Sequence, residues 1–161
     1  MNQYVKQYQK SSIETASREQ ILIMLYDGAI QFLNKAKTAM SQNLIEDTHN
    51  NLMRAQNIIQ EFINSMDREI APQLAENLIS LYEYFIRRLV YANIKGEIEP
   101  IDEVISYLKS LKSTWEQAII LAQKEIQNQE SDAVQHINVT DSDDENYTND
   151  DEEDDDEEDE D

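Results

Sequence analysis

One short motif in this 161-residue chain has the composition of a metal site. Glu46 and His49 form a Glu-x-x-His pair on a predicted helix, the motif that di-iron and di-manganese helical bundles use twice. Such a site also needs an inward glutamate from each of two further helices. The only other histidine, His136, lies outside the predicted bundle. We therefore expect a solvated helix face here, with no metal and no cofactor, and keep a metal-binding, ferritin-like bundle enzyme as an alternative.

No other combination of residues predicts catalysis. The chain has no cysteine, which excludes thiol nucleophiles, thiolate metal ligands and disulfides together. Carboxylates are abundant, but none stands in a recognisable pairing with a histidine or a phosphate-binding loop. We therefore expect a protein that is not an enzyme and has no catalytic residues.

Charge is divided unevenly along the chain. Of the 34 acidic residues, 17 follow Ser131, whereas all 13 Lys and Arg residues precede it. Residues 1–130 thus carry 13 bases against 17 acids, a net charge of −4, compared with −21 for the whole chain. Because no basic face exists to neutralise phosphates, nucleic acid is not an expected partner. Neither a secretory signal nor the ~20 apolar residues of a membrane span is present, so we expect a cytoplasmic protein without membrane insertion.

The scarcity of glycine and proline excludes a β-rich fold. With Gly 2 and Pro 2, the chain lacks the residues that β-hairpin turns need. Apolar residues instead recur at spacings of three and four, which is the period of amphipathic helices. Short loops between such helices make them antiparallel neighbours. We predict an all-α fold, an antiparallel up-down-up-down four-helix bundle with a short N-terminal capping segment and a disordered acidic C-terminal tail.

The predicted boundaries divide the chain into three parts. Residues 1–16 form an N-terminal lid segment, residues 17–128 form the bundle, and residues 129–161 form the disordered acidic tail. The composition of the tail does not allow it to bury enough apolar surface to fold. The four helices are predicted at about 17–40, 44–66, 72–95 and 100–127.

Individual residues predict where some helices begin and end. Ser17 followed by Gln20 predicts a capping box, Asn43 is the predicted N-cap of the second helix, and Gly96 predicts the end of the third. Gly28 lies inside the first helix, where glycine costs about 1 kcal/mol against alanine. We expect close packing against a neighbouring helix to explain it, with a binding notch as the alternative.

Several polar side chains lie beside the apolar stripes. Arg87 and Arg88 could anchor a partner carboxylate, although an ordinary pair with Glu83, four residues before Arg87, is the simpler expectation for Arg87. Most of the tyrosines of the first and third helices are expected at the core edge, with the hydroxyl group in water. These are Tyr26, Tyr82, Tyr84 and Tyr91.

The helices also carry segments that resemble the flagellar secretion chaperone family, FliS. The matching residues stand in order and at family-like spacing across about residues 4–122. Each segment alone is mainly explained by core packing. The resemblance rests on the matching segments of all four helices together. They are Thr15-Ala-Ser17 and Met24-Leu-Tyr-Asp-Gly-Ala-Ile30, then Ala55-Gln-Asn-Ile-Ile-Gln-Glu61, then Leu81-Tyr-Glu-Tyr84, Arg87-Arg-Leu89 and Ala92-Asn93, and finally Trp115 and Ala118.

The resemblance implies an export chaperone. Members of the family bind the C-terminal segment of flagellin, prevent its premature polymerisation and deliver it to the flagellar type III export apparatus. The segment folds partly into helices along the chaperone, which is helix-in-groove recognition. An export-gate component and other flagellar proteins are further candidate partners. Outside this class, the second alternative is a generic helical scaffold with an acidic interaction tail.

The resemblance also suggests partner-binding residues. In the family, an N-terminal segment lies over part of the groove and moves aside on binding, and Val5 and Tyr8 align with its aliphatic residue and its tyrosine. For the groove itself we choose Met24, Ala55, Ile58 and Ile59. The acidic tail departs from the family pattern, which usually ends soon after the fourth helix. Occlusion of the groove, tuning of partner choice and solubility all stay open as its role.

Overall fold

A computed structural model of the chain describes residues 17–140, with side chains as far as Ser131. It contains four helices, α1 (Arg18–Ser41), α2 (Ile45–Asn64), α3 (Pro72–Lys95) and α4 (Glu99–Thr140). Val5, Tyr8 and the rest of the predicted lid lie outside the described residues, as do residues 141–161 of the predicted tail. Within the described part, no helix is both long and apolar enough to span a membrane.

The chain divides into a first compact unit that ends at Ile119 and a second that starts at Ile120. The second unit continues α4 to Thr140, past the end near residue 128 that the sequence predicts. Residues 123–130 are mostly Gln, Glu and Lys, which have good helix propensity. The helix therefore persists on propensity where the periodic apolar pattern has already ended.

Within the first unit, the helices form an antiparallel bundle, as predicted. α1 packs against α2, and α2 packs against α3. The rings of Tyr26 on α1 and Phe62 on α2 stack with their centroids 4.6 Å apart, and the Tyr82 ring of α3 lies 5.4 Å from Phe62. Trp115 of α4 donates its indole N–H to the Tyr26 hydroxyl at 2.9 Å. One aromatic cluster thus ties all four helices together.

Of the three helix ends predicted from single residues, two are confirmed and one is wrong. Gln20 N–H donates to Ser17 Oγ at 3.2 Å while Ser17 N–H donates to Gln20 Oε1 at 3.0 Å, which completes the capping box. Gly96 ends α3 with a left-handed φ of 69°. Asn43, however, is not an N-cap, because Leu44 holds that position without a side-chain cap. Asn43 instead takes φ 58°, a left-handed conformation that asparagine tolerates better than most residues.

The core contains one buried polar pair. Tyr26 and Tyr82 are buried, and their hydroxyl oxygens lie 2.5 Å apart. Burial raises the pKa of both hydroxyls, so both are neutral, and one donates a hydrogen bond to the other. The expectation of a core-edge ring with its hydroxyl in water is therefore wrong for these two residues, because each hydroxyl is satisfied inside the bundle.

Candidate partner-binding face

The face between α1 and α2 leaves apolar side chains at the surface. On α1, Met24, Gly28 and Phe32 are spaced four residues apart and so share one side of the helix. Met24 is 38% exposed, and Phe32 is half-buried. On α2, Ile58 is half-buried and Arg54 is exposed. We call this surface, defined by these five residues, the α1–α2 seam.

Gly28 leaves a bare stretch of backbone in this seam. Apart from its own helix, a Cβ atom at Gly28 would meet only the Cδ1 of Ile58, at 3.5 Å, which is an ordinary van der Waals contact. An alanine would therefore fit. The expected packing against a neighbouring helix is present as the approach to Ile58 of α2, but it leaves room for a methyl group. A notch on the binding surface, the alternative from the sequence, would use that room.

Two cations flank the Phe32 ring. Lys35 Nζ lies 5.6 Å from the ring centroid, and the guanidinium carbon of Arg54 lies 5.5 Å from it. Both are cation–π distances. Neither cation forms an ion pair with any other described residue. The seam therefore ends in a site that combines an apolar ring with two positive charges.

An open cleft of about 580 Å³ is lined by Lys35 but not by Arg54. Its other walls come from α1, the turn to α2 and the first turns of α2. Most of its lining residues are polar, including Gln31, Thr38 and Asn51. The cleft also includes Asp27, so polar residues lie beside the apolar seam along α1.

Of the four groove residues chosen from the sequence, two reach the surface. Met24 and Ile58 line the seam, whereas Ala55 and Ile59 have no exposed surface. α2 uses one stripe for the core, and that stripe includes Ala55 and Ile59 together with Leu52 and Phe62. The neighbouring positions, Arg54 and Ile58, are turned by about 100° and so lie beside the core stripe.

Sequence reasoning missed the charged end of the seam. Phe32 is one of the apolar residues that recur along α1, and neither it nor Lys35 was singled out from the sequence. The spacing of Lys35, three residues after Phe32, is a signal that the sequence does contain, because residues three apart are neighbours on a helix. The approach of Arg54 from α2 has no such local signal.

The face between α3 and α4, which we call the α3–α4 seam, differs because its polar groups satisfy one another. The hydroxyl of Tyr84 donates to Glu103, and Arg88 Nε donates to the other carboxylate oxygen at 2.6 Å. The hydrogen bond from Tyr84 and then the Arg88 guanidinium lower the pKa of Glu103. Arg88 also lies over the Tyr91 ring, at 5.6 Å. Glu103 therefore supplies a carboxylate for Arg88 within the chain, so Arg88 does not need one from a binding partner.

The Glu-x-x-His motif does not face the bundle interior. Glu46 and His49 are both exposed on α2. His49 Nδ1 lies 2.8 Å from the side-chain nitrogen of Asn93 on α3. In residues 17–131, no group of three or more His, Asp or Glu side chains is placed to hold a metal ion. A di-metal bundle needs its ligands to project inward, and these two project outward.

The described residues thus form an antiparallel helical bundle with apolar side chains exposed in the seam between two of its helices. Comparison with known proteins gives the family. The family model described as flagellar protein FliS matches residues 1–124. The chain therefore belongs to the FliS family.

Curated relatives and a solved structure support this assignment. Over 112 residues the chain is 38% identical to the flagellar secretion chaperone FliS of Bacillus subtilis, covering 70% of this chain and 83% of that protein. It is 31% identical to the flagellar secretion chaperone FliS of Escherichia coli over 112 residues, 69% of this chain and 82% of that one. The fold matches a crystal structure of a flagellar chaperone from bacteria with a TM-score of 0.61 and 20% identity, covering 73% of this chain and 95% of that chain.

Proposed function

We propose that this chain is a cytoplasmic export chaperone that binds the C-terminal segment of flagellin in the α1–α2 seam. By holding the segment it prevents premature polymerisation, and it then delivers flagellin to the flagellar type III export apparatus. The choice of surface rests on one observation. Met24 and Ile58 are accessible beside Gly28, and no contact within the bundle requires a glycine at that position.

The notch at Gly28 suits an amphipathic helix. Because no side chain projects there, the backbone of a partner helix can approach α1 closely, and its apolar residues can reach Ile58 and Met24. Burial of one large apolar side chain contributes about 1.5–3 kcal/mol. Ordering a disordered segment costs about 2–5 kcal/mol. A single anchor is therefore insufficient, and the partner must lie along several turns of the seam.

The buried groove residues and the lid take supporting roles in this proposal. Ala55 and Ile59 form the floor under Ile58 and hold it in position, rather than contacting flagellin themselves. Val5 and Tyr8 are proposed to cover part of the seam in the free chaperone and to leave it on binding. In this account the chain acts by binding alone and catalyses no reaction, as the chaperone names of its relatives suggest.

Two methionines of equal exposure provide a matched test. Met24 lies in the seam and Met53 lies elsewhere on α2, and each is 38% exposed. We expect Met24→Ser to weaken calorimetric binding of the flagellin C-terminal segment by about tenfold, which corresponds to about 1.4 kcal/mol. Met53→Ser should leave the affinity within about twofold. Equal losses from both variants, or a loss from Met53→Ser alone, would contradict the proposed surface.

A further inference from the structure

We infer that the Phe32 end of the α1–α2 seam is a carboxylate-binding site, which takes an acidic side chain that the partner helix carries beside its apolar stripe. This inference rests on the proposed function, since the partner must occupy the seam. It adds a chemical requirement on that partner, because apolar anchors alone would leave Lys35 and Arg54 unused.

The geometry brings two positive charges from different helices to one ring. Lys35 approaches Phe32 from the next turn of α1, and Arg54 approaches it from α2, both within 5.6 Å of the ring centroid. The face of an aromatic ring attracts cations, so Phe32 holds both side chains near the seam. An anion that approaches this ring is attracted by both positive charges. A carboxylate can accept hydrogen bonds from an ammonium and a guanidinium group together.

Several cations of the bundle have a carboxylate partner within the chain. Lys37, Arg88 and Lys112 each form an ion pair with a carboxylate on another helix. Lys35 and Arg54 form none with the described residues. They differ from other exposed cations without an ion pair there, such as Lys109, because both lie against one half-buried aromatic ring in the seam.

The acidic residues nearest to the site do not fill this role. Asp47 lines the same cleft as Lys35 but lies beyond ion-pair distance from it. Asp27, the other acidic residue of that cleft, is bound to Lys112 at 2.7 Å. Within the described residues, no acidic side chain forms an ion pair with Lys35 or Arg54, and we assign that place to the partner that occupies the seam.

The spacing of the seam defines the motif that the partner must carry. Gly28 and Phe32 are one helical turn apart, or about 6 Å along the axis. A partner helix whose apolar anchor lies at Gly28 and Ile58 brings a residue three or four positions away to Phe32. We therefore expect an acidic residue three or four positions from a central apolar anchor in the bound segment.

The test uses the full chain and the C-terminal segment of flagellin from the same organism. Neutral replacement of both cations, Lys35→Gln with Arg54→Gln, should weaken calorimetric binding by about tenfold near 50 mM salt, and the difference should shrink in about 0.5 M salt. The matched control is Lys109→Gln, because Lys109 is an exposed cation of α4 that forms no ion pair with a described residue. Thermal unfolding checks that all variants remain folded.

A second arm locates the carboxylate on the partner. Each acidic residue of the flagellin segment is changed in turn to its amide. One such change should weaken binding to the unaltered chain by about as much as the double cation replacement does. The same change should have almost no further effect on the double variant, which is the non-additivity of two groups in contact.

The outcomes separate the two proposals. If the unaltered chain does not bind the segment, the proposed function fails and this inference fails with it. If it binds and the double variant binds equally well, the function stands and the carboxylate site is overturned. Tighter binding by the double variant would also overturn it, because an acidic group of the chain itself, such as the tail, would then be the occupant.

Discussion

The two seams differ in how their polar side chains are paired. In the α3–α4 seam, Tyr84 and Arg88 both bind Glu103, so these three groups satisfy one another. In the α1–α2 seam, two cations converge on Phe32 without a carboxylate from the described residues. Both seams join antiparallel helices of the same bundle, and the difference between them lies in their side chains.

This contrast indicates a division of roles within one fold. Polar groups that pair with each other inside the chain hold the helices in position. The ion pair between Lys112 of α4 and Asp27 of α1 has the same role. The α1–α2 seam has a glycine that alanine could replace, an exposed methionine and two cations without an ion pair among the described residues. In the proposed function these residues contribute when a partner covers them. The following predictions test this division, from the largest expected effect to the smallest.

The largest effect is expected where the α3–α4 seam meets the core. Phe85 is buried and contacts Tyr107 of α4, with ring centroids 5.5 Å apart. Phe85→Ala should lower the free energy of unfolding by about 3–5 kcal/mol, because it removes a large buried ring and leaves a cavity. Met24→Ala should cost less than about 1 kcal/mol in the same urea titration, since Met24 is already partly exposed. Comparable losses would mean that the α1–α2 seam also serves mainly for stability.

The two glycines should respond to alanine with opposite signs. Gly28→Ala should raise the free energy of unfolding by about 1 kcal/mol, because alanine fits and is the better helix former. Gly96→Ala should lower it by about 1–2 kcal/mol, because φ at Gly96 is 69° and an L side chain is strained there. Urea unfolding of both variants measures this pair.

The same two glycine variants should also be compared in binding. Gly28→Ala should bind the flagellin segment more weakly than the unaltered chain does, because its methyl group fills the proposed notch, even though this variant is the more stable protein. Gly96→Ala should keep the affinity of the unaltered chain wherever it is folded. An unchanged affinity for Gly28→Ala would show that the notch is not used.

The buried tyrosine pair should contribute about 1 kcal/mol to stability. Tyr82→Phe keeps the ring and removes one hydroxyl, so Tyr26 loses its partner while retaining the bond from Trp115. Loss of one hydrogen bond of this kind costs about 0.5–1.5 kcal/mol. Thermal unfolding measures the change, and Tyr26→Phe with Tyr82→Phe should cost less than the sum of the single changes because both groups share the bond.

The smallest effect concerns acid stability of the α3–α4 seam. The pKa of Glu103 is below the ordinary value of 4.5, chiefly through the Tyr84 hydroxyl. A lowered carboxyl pKa stabilises the fold above the unfolded pKa, and that stabilisation is lost as the pH falls through the folded pKa. The stability difference between the unaltered chain and Glu103→Gln should therefore be present at pH 7 and shrink below about pH 4.5.

The control for this measurement is Glu76→Gln. Glu76 is an exposed residue of α3 with no ion pair among the described residues, so its replacement should give no comparable pH-dependent difference. A difference for Glu103→Gln that stays constant between pH 7 and pH 3 would mean that the lowered pKa contributes nothing to stability.

The sequence predicts those features that depend on local spacing. The number of helices follows from the apolar period, and the capping box of Ser17 and the helix end at Gly96 follow from residue type and position. Asn43 shows the limit of this reasoning, because one residue type suits both an N-cap and a left-handed turn. The neighbouring residues do not decide between the two.

Contacts between helices are harder to predict because they depend on rotation about the helix axis. Tyr26 and Tyr82 are 56 residues apart, and nothing in either stripe indicates that their hydroxyls meet. Ala55 and Ile59 were chosen for the groove together with Ile58, although a turn of about 100° separates adjacent residues. Phe32, Lys35 and Arg54 were missed for the same reason, since only the packing of α1 on α2 brings Arg54 to the ring.

The most direct test of the central claim is a methionine-methyl NMR titration of the full chain with the flagellin C-terminal segment. Met24 and Met53 are equally exposed reporters, one in the α1–α2 seam and one outside it. We predict that the Met24 methyl resonance shifts or broadens as the segment is added, while that of Met53 stays in place. A shift of the Met53 resonance with Met24 unchanged would contradict the assignment of the α1–α2 seam as the partner-binding face.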